Sequence, residues 1–105
     1  MEWEKKVEMA RLGNRSHGSL EARKEYQQYV LDNIEEFDIQ SWDMFSQLSD
    51  ILINQMKDDY EYWKIVYPHL IAVDCNDESF GFRAGMRIAM LQTICEDELK
   101  LNEKL

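Results

Sequence analysis

One proline, Pro68, and four glycines in the whole chain leave too little turn chemistry for a multi-stranded sheet, which needs a turn signal about every ten residues. Helices are the alternative. No apolar run approaches the roughly 18 residues of a membrane-spanning helix, and Glu2, Glu4, Lys5 and Lys6 place charge where a secretion signal needs an apolar core. A cytoplasmic protein is expected. Cysteine is scarce as well: Cys75 and Cys95 form no Cys-x-x-Cys pair, and in a reducing compartment they read as small apolar residues. The last shortage is of positive charge. Between Lys24 and Lys57 there is no basic residue at all, which argues against direct binding of a nucleic-acid backbone by this part of the chain.

What is present is acid and apolar bulk. The 105 residues carry a net charge of −9, with 45% hydrophobic residues and three tryptophans, enough for one core. The basic-free interval holds Glu25, Asp32, Glu35, Glu36, Asp38, Asp43 and Asp50. Such a surface favours a basic partner.

Hydrophobic spacing places the helices. Trp3, Val7 and Ala10 suggest a short first helix ending in the Gly13 to Ser19 loop, so 1–18 is a short helix and loop. Ser19 is placed to N-cap a helix over 19–37 whose apolar face is Tyr26, Val30, Ile34 and Phe37. Asp38 or Ser41 begins a third helix over 41–67 with Phe45, Leu48, Leu52, Met56, Trp63 and Val66 on one stripe, and Pro68 marks its end at Tyr67. Residues 65–73 read either as a helical turn or as a short extended piece. Asn76 then caps a last helix over 77–99, in which Phe80, Ala84, Ile88, Leu91 and Cys95 form one stripe. Phe82, Met86, Met90 and Ile94 widen that stripe until most of the helix is apolar. The expectation is an all-α protein, 1–105 as a single small helical bundle of three long helices and a shorter N-terminal one.

Catalytic and metal chemistry find little support. Asp74, Asn76 and Glu78 start like a calcium loop, but Ser79 stands where glycine is needed and Gly85 where a bidentate glutamate is needed. His17, His69, Cys75 and Cys95 lack zinc-site spacing. Asp58, Asp59 and Glu61 read as solvated helix surface rather than an acid–base pair. No enzyme activity, metal or cofactor is expected.

Gly81, Arg83, Gly85 and Arg87 are the most distinctive run. Two glycines one turn apart inside a helix cost about 1 kcal/mol each, so close approach of another helix is expected there. Arg83 and Arg87 either grip an anion or pair with internal carboxylates, and the abundance of acid favours the latter. A phosphate-handling enzyme would need a general base beside them, which the sequence does not offer.

The segment from Phe80 to Leu91, with its Gly-Phe-Arg-x-Gly-x-Arg-Ile run, resembles short helical proteins of Firmicutes and of their phages and other mobile elements. Ala84 departs from the leucine usual there. The resemblance covers this segment alone and implies a helical fold in a bacterial, mobile-element setting, with no activity attached.

Two functional expectations follow. The first is an acidic protein-binding module, of anti-CRISPR, anti-defence or DNA-mimic type, that inhibits or modulates a basic nucleic-acid-binding partner through Asp32, Glu35, Glu36, Asp38, Asp43 and Asp50. The second is a self-associating structural or regulatory protein, a homodimer through exposed Trp42, Met44, Ile53, Tyr62 and Ile65. Neither involves a membrane.

Overall fold

The computed structural model describes residues 3–15, 18–77, 82–98 and 100. Every regular element among them is helical, with no strand, so the all-α expectation holds. The chain divides into two compact units, Met1–Asp38 and Ile39–Leu105.

In the first unit α1 (Trp3–Arg15) packs on α2 (Leu20–Asn33). Ser19 caps α2 as expected: its backbone is extended and its Oγ accepts from the Ala22 N–H at 3.0 Å. Tyr26, Val30, Ile34 and Phe37 are all buried. The helix stops at Asn33, however, short of the expected Phe37. Its last turn has no basic residue, and Asp32, Glu35, Glu36 and Asp38 crowd carboxylates onto the negative end of the helix dipole. Asn33 Nδ2 turns back to the Tyr29 carbonyl at 2.8 Å, and the Glu36 N–H closes a tight turn on the Asn33 carbonyl. On α1 the buried face is Met9 and Leu12, while Val7 is exposed. The spacing of Val7 and Ala10 therefore misplaced that face by part of a turn.

The second unit contains α3 (Trp42–Gln55), α4 (Tyr60–Ile71) and α5 (Phe82–Thr93), the last continued by a π-helical turn over Ile94–Glu98. Phe45, Leu48, Leu52, Met56, Trp63 and Val66 are fully buried, as their stripe requires. The single helix expected over 41–67 is nevertheless two. Met56 leaves helical geometry, and Asp59 restarts it, with its N–H on the Met56 carbonyl at 3.1 Å and its own carbonyl taking the Trp63 N–H at 3.1 Å. Aspartates favour such a start over a helix interior. The break is sealed by Trp63, whose Nε1–H donates to the Met56 carbonyl at 2.8 Å from a fully buried position.

Pro68 does not end α4, which runs on to Ile71. Its ring faces solvent, and the buried Tyr67 and Leu70 on either side supply the packing that outweighs one missing backbone bond. Gln40 ties the far ends of α3 and α4 together: its Nε2 donates to the Asp74 carbonyl and its Oε1 accepts the Asp74 N–H, both at 3.0 Å. The pair is thus a helical hairpin closed at its open end. Beyond it, Asp74 Oδ1 accepts the Asn76 N–H and the Asp77 N–H reaches the Asp74 carbonyl, forming a turn. The expected first turn of the last helix, with Phe80 and Gly81, lies partly outside the described residues.

Ala84, Ile88, Leu91, Ile94 and Cys95 bury the inner face of α5. The wider apolar arc expected of this helix is corrected by the structure: Phe82, Met86 and Met90 point away from the core.

Candidate functional site

Phe82, Met86 and Met90 are 83%, 69% and 51% exposed. They follow one another at steps of four and so form a ridge along the outer face of α5. Ala89 and Thr93 on the same face are exposed too, and Gly85 is half-buried. Large apolar side chains in a contiguous exposed row are a mark of an interaction surface rather than of ordinary surface scatter.

One flank of this ridge is built against α3. Arg83 and Arg87, one turn apart, place their guanidinium carbons 4.3 and 5.9 Å from the centre of the Trp42 ring. Trp42 is half-buried at the first turn of α3 and tilts against Phe45, with ring centres 5.8 Å apart. Arg87 is fixed more firmly, donating Nη1–H to Ser49 Oγ at 3.0 Å and approaching the Ser46 carbonyl at 3.5 Å. Ser49, the buried polar side chain of this region, donates its own proton to the Phe45 carbonyl at 2.7 Å and so offers its lone pairs to Arg87. Trp42, Arg83, Met86, Arg87 and Met90 line an open hollow of about 380 Å³. The result is an apolar seat with two cations at its edge, in a chain whose net charge is −9.

The acidic residues singled out from sequence are all exposed, Asp32, Glu35, Glu36 and Asp38 in the first unit and Asp43 and Asp50 in the second. Several are engaged locally. Asp32 accepts from Gln28 at 2.7 Å, Asp50 from Asn54 at 2.8 Å, and Glu36 pairs with Lys5. At Gly85 a Cβ would meet nothing within 4 Å, so the close helix approach expected there is not found among the described residues.

The patch expected for self-association is also corrected. Met44 and Tyr62 are buried, Trp42 and Ile53 half-buried, and only Ile65 of the five is exposed. α3 buries a broad arc, Met44 and Ile51 included, so positions off the main stripe still face inward. Phe82, Met86 and Met90, which helical spacing places with the core residues, lie outside the core instead. The signal that could have separated them is numerical: two full apolar stripes on one helix exceed what a chain this short can cover.

Cys95 is buried against Tyr67. Burial first, and then the neighbouring Cys95, pushes the Tyr67 hydroxyl up to about 12, while burial holds the Cys95 thiol above its ordinary value against the lowering effect of the Tyr67 hydrogen bond. A thiol kept protonated is a poor nucleophile, so this pair is core. Among the described residues no group of three or more His, Cys, Asp or Glu side chains is arranged to hold a metal, and no helix is long and apolar enough to cross a membrane. His17 lies outside the described residues. Compared with models of protein families, with curated proteins and with solved structures, the chain matches none.

Proposed function

We propose that this protein works by binding another protein through the outer face of α5, without catalysing a reaction. The observation that carries this reading is the exposed Phe82, Met86 and Met90 ridge beside Trp42 and its two arginines. Apolar anchors next to an aromatic ring and an arginine are the composition of binding hot spots, and burying three such side chains supplies affinity that scattered surface charge does not.

A second reading is supported by the exposure of Asp32, Glu35, Glu36, Asp38, Asp43 and Asp50. It makes the protein an acidic inhibitor or modulator of a basic nucleic-acid-binding partner, in the anti-defence or DNA-mimic manner that the mobile-element resemblance of the last helix suggests. The two readings use different residues and separate in one experiment. Tagged wild-type protein, a Phe82→Ser/Met86→Ser variant and an Asp43→Lys/Asp50→Lys variant are used to capture partners from bacterial lysate after nuclease treatment. Loss of the captured protein with the α5 variant alone supports the first reading. Loss with the charge-reversal variant alone, together with release by duplex DNA and salt, replaces it with the second.

A further inference from the structure

Arg87 is a cation without an anion. Its hydrogen bonds to Ser49 Oγ at 3.0 Å and to the Ser46 carbonyl at 3.5 Å are both made by Nη1, and no carboxylate pairs with it among the described residues. The internal acid expected beside it is not found there, although the chain holds 21 acidic residues. A cation held partly out of water normally has a carboxylate next to it. Arg87 is half-buried because the buried Ser49 fixes it against α3. Its Nε–H and Nη2–H groups have no partner among the described residues. Together they form the side fork of the guanidinium, which a planar carboxylate meets with two parallel bonds.

Arg87 lines the hollow of about 380 Å³ together with Trp42, Met86 and Met90. We infer that this hollow binds a small organic anion, a carboxylate carried on an aromatic or branched apolar body. The carboxylate lies on the Arg87 fork, and the apolar body lies against Trp42, Met86 and Met90. The volume is at the low end for small-molecule sites, which limits the body to about one or two rings. Charge selects a carboxylate over a phosphoryl group: one guanidinium without an acid balances a single negative charge, and the −9 of the chain opposes a second. Arg83 takes no share of the anion. It already stands over the Trp42 ring at 4.3 Å, where it forms the rim of the hollow. The site shares Met86 and Met90 with the ridge proposed to meet a protein, yet it does not rest on that reading, for it depends on Arg87 and makes no use of Phe82. Because the hollow is open to solvent, part of the ligand stays wet and dissociation falls on the order of 0.1–1 mM.

Titration of isotope-labelled protein with naphthoate tests this, followed by two-dimensional NMR that includes the arginine Nε–H resonances. A saturable shift of one arginine Nε–H signal is expected, absent from Arg87→Gln, together with shifts of the Trp42 and Met90 amides. Naphthalenemethanol keeps the rings and lacks the charge, and it binds about tenfold more weakly. That order is diagnostic, because a chain of net charge −9 repels an anion except beside a cation that lacks an acid. Arg87→Gln abolishes the preference, and Arg87→Lys restores only part of it, since an ammonium has no fork. Both variants leave Ser49 its bond to the Phe45 carbonyl, and retained signal dispersion confirms that they fold. Met90→Ser, at a position 51% exposed, weakens the acid and the alcohol alike. Naphthoate that binds no tighter than the alcohol, or equally well to Arg87→Gln, overturns the anion site. Shifts confined to residues away from Trp42 and Arg87 overturn its placement. Lysate capture through Phe82 and Met86 is read separately, so a failed titration leaves the contact surface standing.

Discussion

Replacing Trp63 by phenylalanine tests whether the joint between α3 and α4 is held as the structure indicates. The substitution keeps an aromatic ring at a fully buried position and deletes the Nε1–H that reaches the Met56 carbonyl at 2.8 Å. A hydrogen bond of this kind contributes about 1 kcal/mol net. The carbonyl is not orphaned, because the Asp59 N–H still reaches it at 3.1 Å, so the larger desolvation penalty of an unpartnered buried group is avoided. The lost ring atoms leave a cavity that cannot fill completely, and at about 24 cal/mol per Å³ of residual cavity this adds around 1 kcal/mol. The expected loss is therefore roughly 2 kcal/mol, or on the order of 10 °C in melting temperature for a chain of this size. Urea unfolding followed by far-ultraviolet circular dichroism is the assay, since it does not depend on tryptophan emission. A Trp63→Phe protein within about 0.5 kcal/mol of wild type, with an unchanged denaturant slope, would refute the claim that the indole seals the break.

Gly85→Ala should raise stability by about 0.5–1 kcal/mol, because the residue is helical, its backbone needs no glycine, and a Cβ there meets nothing within 4 Å; a lower melting temperature would show that α5 is more crowded than described. Cys95 and Tyr67 are both raised, so the folded state holds their protons more tightly than the unfolded chain does. Their contribution is intact below the ordinary thiol value and is lost as pH climbs from about 9 toward about 12, which urea midpoints measured across that window should show as a steady fall. A flat profile, or an alkaline midpoint unaffected by Tyr67→Phe, would count against that coupling.

Much of the fold is legible in local chemistry. The Ser19 cap, the Tyr26, Val30, Ile34 and Phe37 face and the burial of Ala84, Ile88 and Leu91 all follow from spacing and hydrogen-bonding capacity that the residues carry wherever they are placed. The break at Met56 is not legible in that way. Met56 and Trp63 are seven apart, a distance that fits one continuous helix as well as two, and the indole that favours two acts only once the helices fold back. Pro68 misleads for the opposite reason, its strong local preference being outweighed by the packing of Tyr67 and Leu70. The candidate site is the least legible part. Phe82, Met86 and Met90 have the same chemistry as core residues, and only the size of the inner face of α5 decides that they are left outside.

The pairing of Gln40 with Asp74 has a consequence for the order in which the second unit assembles. These residues are 34 apart in sequence, and Ser49 and Arg87 are 38 apart, whereas the bonds within each helix span a single turn. Closing a loop of that length costs on the order of 3 kcal/mol of chain entropy before any contact is returned. Neither tie recovers that cost alone, so both must follow the coalescence of α3 and α4 around Trp63. They act as late latches, closing on a hairpin that has already formed, and the Asp74 amide should be among the first in this unit to open to exchange with solvent.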